Sequence, residues 1–347
     1  MSTIMLSKDP KRILFIRPSA LGDVCRSVPV VASLKRAWPN ATIDWLVQTE
    51  FLASISEHPA VSGTLLFPRH EMRRWYLPTQ WMKMFRFLRL LRSKKYDLVI
   101  DGQGLGRSGL FAWATRAKIR IGSSSAREFG WLGYTDKVTT TCKHTVGQML
   151  ELVRALGVEV VEDMQLFTAD EDSVWWANKQ EGLPKGKYAV LAPTSRWKSK
   201  QWPVERFEKA ATHLLEQGMQ SVVVVGAPSE HEQVATIFTD ERILNLLPEM
   251  TVGRLLAVIE HADVVLANDS AALHIAVGFK RPCVALFGPT DPAVVGPYKQ
   301  DNAVIAAEIE YSSTHYRDKN ISDSTMRLIQ VEAVTERLGV ILKAGKE

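Results

Sequence analysis

An aspartate that could act as a base, Asp23, follows the first predicted strand in the run Arg17-Pro-Ser-Ala-Leu-Gly-Asp23. Gly22 permits the tight turn in which a strand passes into a helix, so we expect the carboxylate at or near a helix N-terminus. A carboxylate at that edge of a parallel sheet can remove a proton from a hydroxyl group. Simple helix capping is the structural alternative, because Asp is a common N-cap residue.

Hydroxyl and cationic side chains follow the first predicted strand of the second half of the chain, in the loop between Pro193 and Pro203. Such groups stabilise a diphosphate as negative charge develops on it. A solvated basic loop that precedes a helix is the alternative. The polar members of the loop are Thr194, Ser195, Arg196, Lys198 and Lys200.

A polar turn, Asn268-Asp269-Ser270, joins another predicted strand to a helix of small residues over 270–277. The free N–H groups and the dipole of that helix make its N-terminus an anion site. Ala271 and Ala272 would let a phosphate approach closely. His274 lies one turn further along on the same side, either as a ligand-binding or as a structural residue.

A further carboxylate, Glu230, follows a strand in the run Gly226-Ala-Pro-Ser-Glu230. Carboxylates just after a strand end often accept hydrogen bonds from ribose hydroxyls. The residue fits equally well as a negative charge at the N-terminus of a helix.

Two short motifs match known binding signatures but lie at positions that do not suit them. Gly104-Leu-Gly-Arg-Ser-Gly109 matches the dinucleotide-binding G-x-G-x-x-G, with Glu128 about twenty residues further on. It does not open the first β-α unit, however, so we discount it. Asp170-Glu-Asp172 matches the D-x-D of metal-dependent sugar transfer, but it lies away from any strand end. We interpret it as the start of a solvated helix.

The segment from Arg69 to Lys95 is strongly basic, with Glu71 as its only acidic residue. Helical spacing predicts one apolar core face and a cationic face opposite it. Further apolar residues lie on the cationic side, so the helix could rest on an anionic membrane surface; an ordinary surface helix is the alternative. The predicted core face consists of Trp81, Met84, Phe85, Leu88 and Leu91, the cations opposite are Lys83, Arg86 and Arg89, and the extra apolar residues are Met82, Phe87 and Leu90.

The elements that position these groups alternate between short β-branched runs and helical patterns, which predicts parallel sheets covered on both faces. The rhythm pauses between Glu159 and Lys187 and starts again at Tyr188. We therefore expect two doubly wound halves with a ligand cleft between them. The predicted domains are residues 1–170, residues 171–325, and a C-terminal helix within 326–347 that packs back on the first domain.

Length and composition bound the class of protein. The 347 residues suit two domains, and 46% hydrophobic with 23% charged residues excludes disorder, collagen and disulfide scaffolds as the main architecture. The first 175 residues hold 24 basic against 17 acidic residues, a net +7, and the rest hold 19 against 21, a net −2. The basic half predicts an anionic partner, unless it is ordinary scatter of surface charge.

The sequence gives little indication of a targeting segment, a membrane span or a zinc site. It lacks an apolar run of eighteen residues and a secretory leader, so we expect no membrane span and no export. Cys25, Cys142 and Cys283 are far apart and odd in number, which is typical of a reducing compartment and argues against a zinc site.

Seven motifs in order resemble the ADP-heptose:lipopolysaccharide heptosyltransferases, glycosyltransferase family 9, with heptosyltransferase I the most similar type. They span roughly residues 12 to 300, and each is weak alone while their order is specific. The matching runs are R-P-S-A-L-G-D-V, Y-D-L-V-I-D-G-Q-G-L, P-T-S-R followed by K-Q-W-P, G-A-P-S-E, L-L-P-E-M, D-S-A-A-L-H and F-G-P-T-D-P.

The resemblance implies a GT-B fold of two Rossmann-like domains. It also implies an inverting, metal-independent transfer of L-glycero-D-manno-heptose from ADP-heptose to Kdo of the lipopolysaccharide inner core. Asp23 would be the general base, and Arg73 and Arg74 would meet the anionic acceptor. The implied donor residues are Thr194, Ser195 and Lys200 for the diphosphate, Glu230 for the ribose, Met250 near the adenine, Asp269 for the heptose hydroxyls, and Ser270, Ala271 and His274 for phosphate.

The resemblance further implies no cofactor and a peripheral, monomeric enzyme on the cytoplasmic face of the inner membrane. Either Lys198 or Lys200 could contact the diphosphate. Other readings stay open: another nucleotide-sugar donor, a sugar-nucleotide 2-epimerase, an NAD-dependent dehydrogenase resting on Gly104–Gly109, and a nucleic-acid-binding module resting on the basic segment. The last lacks any helix-turn-helix, zinc or RNP pattern, and we expect no nucleic-acid partner.

Overall fold

The protein divides into two compact units, Met1–Met164 and Gln165–Glu347. A computed structural model describes residues 4–67, 69, 77–235, 237–238, 240–311 and 324–344. Each unit holds a six-stranded sheet whose strands all run parallel. Parallel strands buried on both faces explain the continuous β-branched runs in the sequence.

The first sheet has the order β3-β2-β1-β4-β5-β6. The chain moves outward from β1 to β3 and then returns to the other side of β1, so the order reverses between β1 and β4. Its strands are β1 (Arg12–Ile16), β2 (Thr42–Gln48), β3 (Gly63–Phe67), β4 (Leu98–Asp101), β5 (Ile119–Ser123) and β6 (Asp136–Val138).

The α-helices of the first unit lie between and after these strands. Right-handed crossovers put the helices after β3 and β4 on the same face of the sheet, and both contribute to one apolar cluster. The helices are α1 (Leu21–Cys25), α2 (Val28–Ala37), α3 (Pro78–Ser93), α4 (Gly106–Thr115) and α5 (Thr145–Arg154).

The second sheet repeats the first topology, with the order β12-β11-β10-β7-β8-β9. Its reversal lies between β7 and β10. The strands are β7 (Tyr188–Ala192), β8 (Ser221–Val224), β9 (Ile243–Asn245), β10 (Val264–Asn268), β11 (Cys283–Phe287) and β12 (Val304–Ala306).

The α-helices of the second unit cover its sheet. They are α6 (Asp170–Gln180), α7 (Val204–Glu216), α8 (Val252–Glu260), α9 (Ala271–Gly278), α10 (Pro292–Val295), α11 (Ser324–Arg327) and α12 (Val331–Ala344). The last helix, expected to return to the first domain, contributes Val334 and Leu338 to the core of the second unit, beside Trp202 and Phe207. Among the described helices, none is both long and apolar enough to cross a membrane.

The segment that follows the turn after β1 forms two helices rather than one. α1 ends at Cys25, and α2 begins at Val28 with Ser27 as its N-cap. Pro29 has no N–H group to donate to the turn before it, so the first helix cannot continue through it. The prediction that Asp170–Asp172 begin a helix is confirmed, because these residues form the first turn of α6.

The predicted core face of α3 is wrong in part. Trp81 and Phe85 are exposed, whereas Phe87 is buried with Leu91. The Phe87 ring packs against the rings of Phe67 and Phe111, with centroid distances of 5.8 and 5.2 Å. This aromatic cluster under the helix, rather than its internal periodicity, sets which face turns inward.

The glycines of the discounted G-x-G-x-x-G motif have a packing role. A Cβ on Gly109 would lie 2.1 Å from the carbonyl oxygen of Gly130, and a Cβ on Gly133 would lie 2.0 Å from that of Gly109. α4 therefore contacts the 3₁₀ turn Gly130–Gly133 backbone to backbone.

Gly109→Ala should lower the free energy of unfolding by about 1–3 kcal/mol, because the new methyl group must force these two backbones apart. Gly339→Ala is the control, since a Cβ there meets nothing within 4 Å. It should raise stability by about 0.5–1 kcal/mol through helix propensity. Urea unfolding followed by circular dichroism measures both, and equal effects of the two variants would contradict the packing role.

Candidate active site

Asp23 lies in the first turn of α1, directly beyond the carboxyl end of β1. Its Oδ2 accepts the backbone N–H of Ala20 at 3.2 Å, so the carboxylate does help to cap the helix. Its Oδ1 also forms ion pairs with two guanidinium groups, Arg26 Nη2 and, at 3.1 Å, Arg17 Nη2. Capping and charge pairing thus hold one carboxylate at the strand-order reversal of the first sheet.

The two arginines that hold Asp23 are themselves fixed. Arg17 Nη1 donates to the carbonyl oxygen of Gly102 after β4, and Arg26 Nη1 donates to Thr145 Oγ1 at 2.8 Å. Both side chains are nearly buried. The Nε atom of each is buried without a hydrogen-bond partner among the described residues.

A cavity of about 230 Å³ lies beside these groups within the first unit. Arg17 and Thr145 line it, which links it directly to the partners of Asp23. Most of the remaining lining is polar: Asp101, Gln103, Ser123, Ser125, Arg127, Thr140 and Gln148. Two cations and several amide and hydroxyl groups suit a small anionic, hydroxyl-rich ligand.

Asp101, a residue that the sequence analysis did not single out, orders one wall of this cavity. Its carboxylate accepts the Tyr134 hydroxyl at 2.6 Å and the backbone N–H groups of Gln103 and Gly104 at 2.8 and 3.1 Å. Complete burial raises the pKa of Asp101, although these hydrogen bonds oppose the shift. An aspartate that ends a buried strand just before a glycine-rich turn was the available signal.

The second unit brings several predicted residues together at its own reversal point, between β7 and β10. Lys200 Nζ lies 2.5 Å from Asp269 Oδ2, and Thr290 Oγ1 donates to the same oxygen at 2.8 Å. Burial alone would raise the pKa of Asp269, but the Lys200 ammonium and the Thr290 hydroxyl hold it below its ordinary value. Lys198, in contrast, is exposed in the turn Lys198–Lys200.

Two buried hydroxyls flank this ion pair in sequence and in the fold. Thr194 follows β7, and Ser270 is the N-cap of α9 after β10. Within the described part of the chain, Thr194 Oγ1 and Ser270 Oγ are buried and have no hydrogen-bond partner. Since an unpaired buried hydroxyl is costly, both atoms indicate a place where a ligand supplies the missing bonds.

Asn268, a second residue that the sequence analysis assigned no role, joins the two loops. Its Oδ1 accepts the backbone N–H of Trp202 at 3.0 Å, and its Nδ2 donates to the carbonyl oxygen of Pro193 at 2.8 Å. It is fully buried. The amide therefore fixes the loop that carries Thr194 and Lys200 against the strand end that carries Asp269.

The other predicted residues lie around this centre. Ser195 is half-buried next to Thr194, and its carbonyl oxygen accepts Gln201 Nε2 at 2.7 Å. Ala271 and His274 belong to α9, with His274 buried close enough to Asp269 to lower its pKa further.

Glu230 and Met250 lie in the segments that follow β8 and β9. Glu230 Oε2 accepts the N–H of Ala227 at 3.1 Å in the turn Pro228–Gln233 after β8. Met250 is buried after the turn Leu247–Glu249, which packs against that of Glu230. Gly226, between Glu230 and β8, leaves room for Thr194, because a Cβ there would lie 2.4 Å from Thr194 Oγ1.

Arg73 and Arg74, the predicted acceptor residues, lie outside the described residues. Within the described part of the chain, no group of three or more His, Cys, Asp or Glu side chains could hold a metal ion.

Lys200→Met should destabilise the second unit by about 3–5 kcal/mol near neutral pH, because it leaves Asp269 buried without its cation. The pKa of Asp269 is lower in the folded than in the unfolded protein, so the ion pair stabilises fully above the unfolded value of about 4 and is lost as pH falls through the folded value. The stability difference from the wild type should therefore shrink below about pH 4.

Urea unfolding of the wild type, Lys200→Met and Lys198→Met across this pH range measures the effect. The exposed Lys198 is the matched control, with an expected change within about 0.5 kcal/mol. Equal losses for both lysine variants would contradict the buried ion pair.

Comparison with known proteins gives a consistent picture. The family model described as glycosyltransferase family 9 (heptosyltransferase) matches residues 84–324, which include every predicted donor residue but not Asp23. Lipopolysaccharide heptosyltransferase 1 of Escherichia coli K12 is 26% identical over 307 residues, 86% of this chain and 94% of that protein.

Two solved structures from E. coli share the fold. The ADP-heptose lipopolysaccharide heptosyltransferase II has a TM-score of 0.77 at 20% sequence identity, covering 97% of this chain and 100% of that one. The heptosyltransferase WaaC with ADP has a TM-score of 0.75 at 24% identity, covering 95% and 99%.

Proposed function

Because the chain belongs to glycosyltransferase family 9, we propose that it transfers a heptosyl group from ADP-heptose to Kdo of the lipopolysaccharide inner core. Its two parallel sheets give it the GT-B fold that the sequence predicted. Family membership makes it a glycosyltransferase and decides against the epimerase and dehydrogenase readings. The observation that carries the donor half of the proposal is the Lys200–Asp269 ion pair beside two buried, unpartnered hydroxyls.

The second unit is the proposed donor site. The diphosphate of the nucleotide sugar would accept hydrogen bonds from Thr194, Ser195 and Ser270, and the N-terminus of α9 and the Lys200 ammonium would offset its charge. Lys200 is preferred over Lys198 because it is half-buried on Asp269, whereas Lys198 faces solvent.

The remaining proposed donor contacts come from the segments after β8, β9 and β10. Asp269 would accept heptose hydroxyls, Glu230 would accept ribose hydroxyls, and Met250 would pack near the adenine. The small side chain of Ala271 would let a phosphate approach the N-terminus of α9. His274 lies one turn further along the same helix. The neighbour solved with ADP supports this nucleotide over UDP.

The first unit is the proposed acceptor site. Its cavity offers Arg17 and Arg127 to a carboxylate, and amide and hydroxyl groups to the sugar hydroxyls. Kdo is an acidic sugar and fits this chemistry. Arg73 and Arg74 are proposed to meet further negative charge on the glycolipid.

The reaction is a single in-line displacement with inversion. The Asp23 carboxylate takes the proton of the acceptor hydroxyl, whose oxygen bonds to the anomeric carbon while the bond from that carbon to the diphosphate breaks. ADP leaves with its negative charge, which the Lys200 ammonium and the hydroxyls stabilise without a metal ion. The two arginines hold the Asp23 carboxylate in place by charge pairing. The transition state of glycosyl transfer has oxocarbenium character, so the proton leaves the acceptor hydroxyl as the new bond forms.

Mass spectrometry of the product formed from the purified enzyme, ADP-heptose and Kdo₂-lipid A tests the reaction. The proposal expects the acceptor to gain one heptosyl unit. Calorimetric titration with ADP and UDP tests the donor separately, and tighter binding of UDP would overturn the heptose assignment.

Asp23→Asn should lower kcat by about 10²–10⁴-fold, because the amide cannot take the proton. ADP affinity should stay unchanged, since all the proposed nucleotide contacts lie in the second unit. Glu57→Gln, an exposed acid in the same unit, is the control and should retain wild-type turnover. Near wild-type turnover of Asp23→Asn would reject Asp23 as the base.

The protein is proposed to work at the cytoplasmic face of the inner membrane as a peripheral, monomeric enzyme. A glycolipid acceptor embedded in a bilayer supports a position of the enzyme at the membrane surface.

A further inference from the structure

The outer side of α3 and α4 exposes large apolar side chains that the core does not use. On α3, Trp81, Met82 and Phe85 keep 62%, 59% and 64% of their surface exposed. On α4, Leu110 and Trp113 are 40% and 42% exposed. Isolated exposed apolar residues are common on proteins, but five large ones on two adjacent helices form a patch that marks an interaction site.

These two helices present the patch to the same side of the first unit. Both bury their inner faces in one cluster, in which Phe87 and Leu91 of α3 meet Phe111 and Ala112 of α4. The residues opposite those positions therefore face outward together. We call this surface, formed by Trp81, Met82, Phe85, Leu110 and Trp113, the α3–α4 face.

Cations are frequent in these two helices and in the segments after them. Between Glu71 and Glu128 the chain has only two acidic residues, Asp97 and Asp101. Asp97 accepts the backbone N–H groups of Lys11 and Arg12, and Asp101 is buried. The basic residues of the two helices and the segments after them are Lys83, Arg86, Arg89, Arg92, Lys94, Lys95, Arg107, Arg116, Lys118 and Arg120.

Two of these cations lie directly on apolar side chains of the face. The Arg116 guanidinium lies 4.1 Å from the centre of the Trp113 ring, and Arg86 Nη2 lies 3.6 Å from Met82 Sδ. Burial lowers the pKa of Arg120, and the like charge of Arg116 lowers it further. The face is thus both amphipathic and positively charged.

We propose that the α3–α4 face docks the enzyme on an anionic lipid bilayer, with Trp81, Met82 and Phe85 entering the headgroup region. Tryptophan and phenylalanine on a basic helix are the side chains that favour this interface, and each nearby cation adds attraction to anionic lipid. A second copy of the chain fits poorly, because two such positive faces repel each other. The choice of a bilayer over other anionic partners rests on the proposed glycolipid acceptor.

Vesicle sedimentation with the full chain tests the docking without any substrate. Vesicles of phosphatidylglycerol and phosphatidylethanolamine (1:3) are compared with vesicles of pure phosphatidylcholine. We expect at least about tenfold tighter binding to the anionic vesicles, weakening as salt is raised. Equal binding to both vesicle types would overturn the proposal.

Variants locate the contact. Trp81→Gln with Phe85→Gln, and separately Arg86→Gln with Arg89→Gln, should each weaken binding to the anionic vesicles by about tenfold or more. Val174→Gln with Leu328→Gln removes equally exposed apolar residues from the second unit and should bind as the wild type does. Unchanged binding of both α3 variants would overturn the proposal. All these positions are exposed, so circular dichroism should confirm that each variant folds.

Activity separates this inference from the proposed function. Trp81→Gln with Phe85→Gln should lose transfer to Kdo₂-lipid A in anionic vesicles yet keep transfer to the same acceptor stripped of its acyl chains. Equal loss on both acceptors would contradict a role in docking. If no acceptor is glycosylated by the wild type, the proposed function fails, while vesicle binding still decides the docking surface.

Discussion

Each unit is organised by the reversal of strand order in an all-parallel sheet. At the reversal, the loops after two neighbouring strands leave in opposite directions, and a crevice opens at the carboxyl ends of those strands. β1 and β4 form this point in the first unit, and β7 and β10 form it in the second. Asp23 with its arginines occupies the first, and Lys200 with Asp269 occupies the second. The position of each candidate site thus follows from the strand order of its sheet.

Charges near both reversal points are held in pairs. Two guanidinium groups fix Asp23, and one ammonium group with a hydroxyl fixes Asp269. The pairing places an opposite charge beside each carboxylate, although one is largely and the other almost fully buried. Two further polar residues complete the sites: Asn268 fixes the loops of the second unit, and Asp101 accepts the hydrogen bonds that order the cavity of the first. The positions of the loops at both sites therefore depend on these two polar side chains.

Much of this was predictable from local sequence. The strands Arg12–Ile16, Tyr188–Ala192 and Cys283–Phe287 coincide with short β-branched runs between turn residues, and such runs allow few alternatives. The sequence motifs also pointed to Lys200, Asp269 and Ser270, which the fold does bring together. The inward face of α3 was not predictable, because Phe67 and Phe111, far apart in sequence, decide it. The roles of Asn268 and Asp101 depend on partners in other loops in the same way.

The repeated strand order has a consequence for how such a chain can diversify. Both units follow one topology, yet we detect no sequence repeat between them, and each has its own hydrophobic core. A substitution around the cavity of the first unit therefore leaves the ion pair and the hydroxyls of the second unit untouched. One half of the molecule is free to acquire a new recognition surface while the other keeps its candidate site. Modular inheritance of this kind lets the two sites change at different rates.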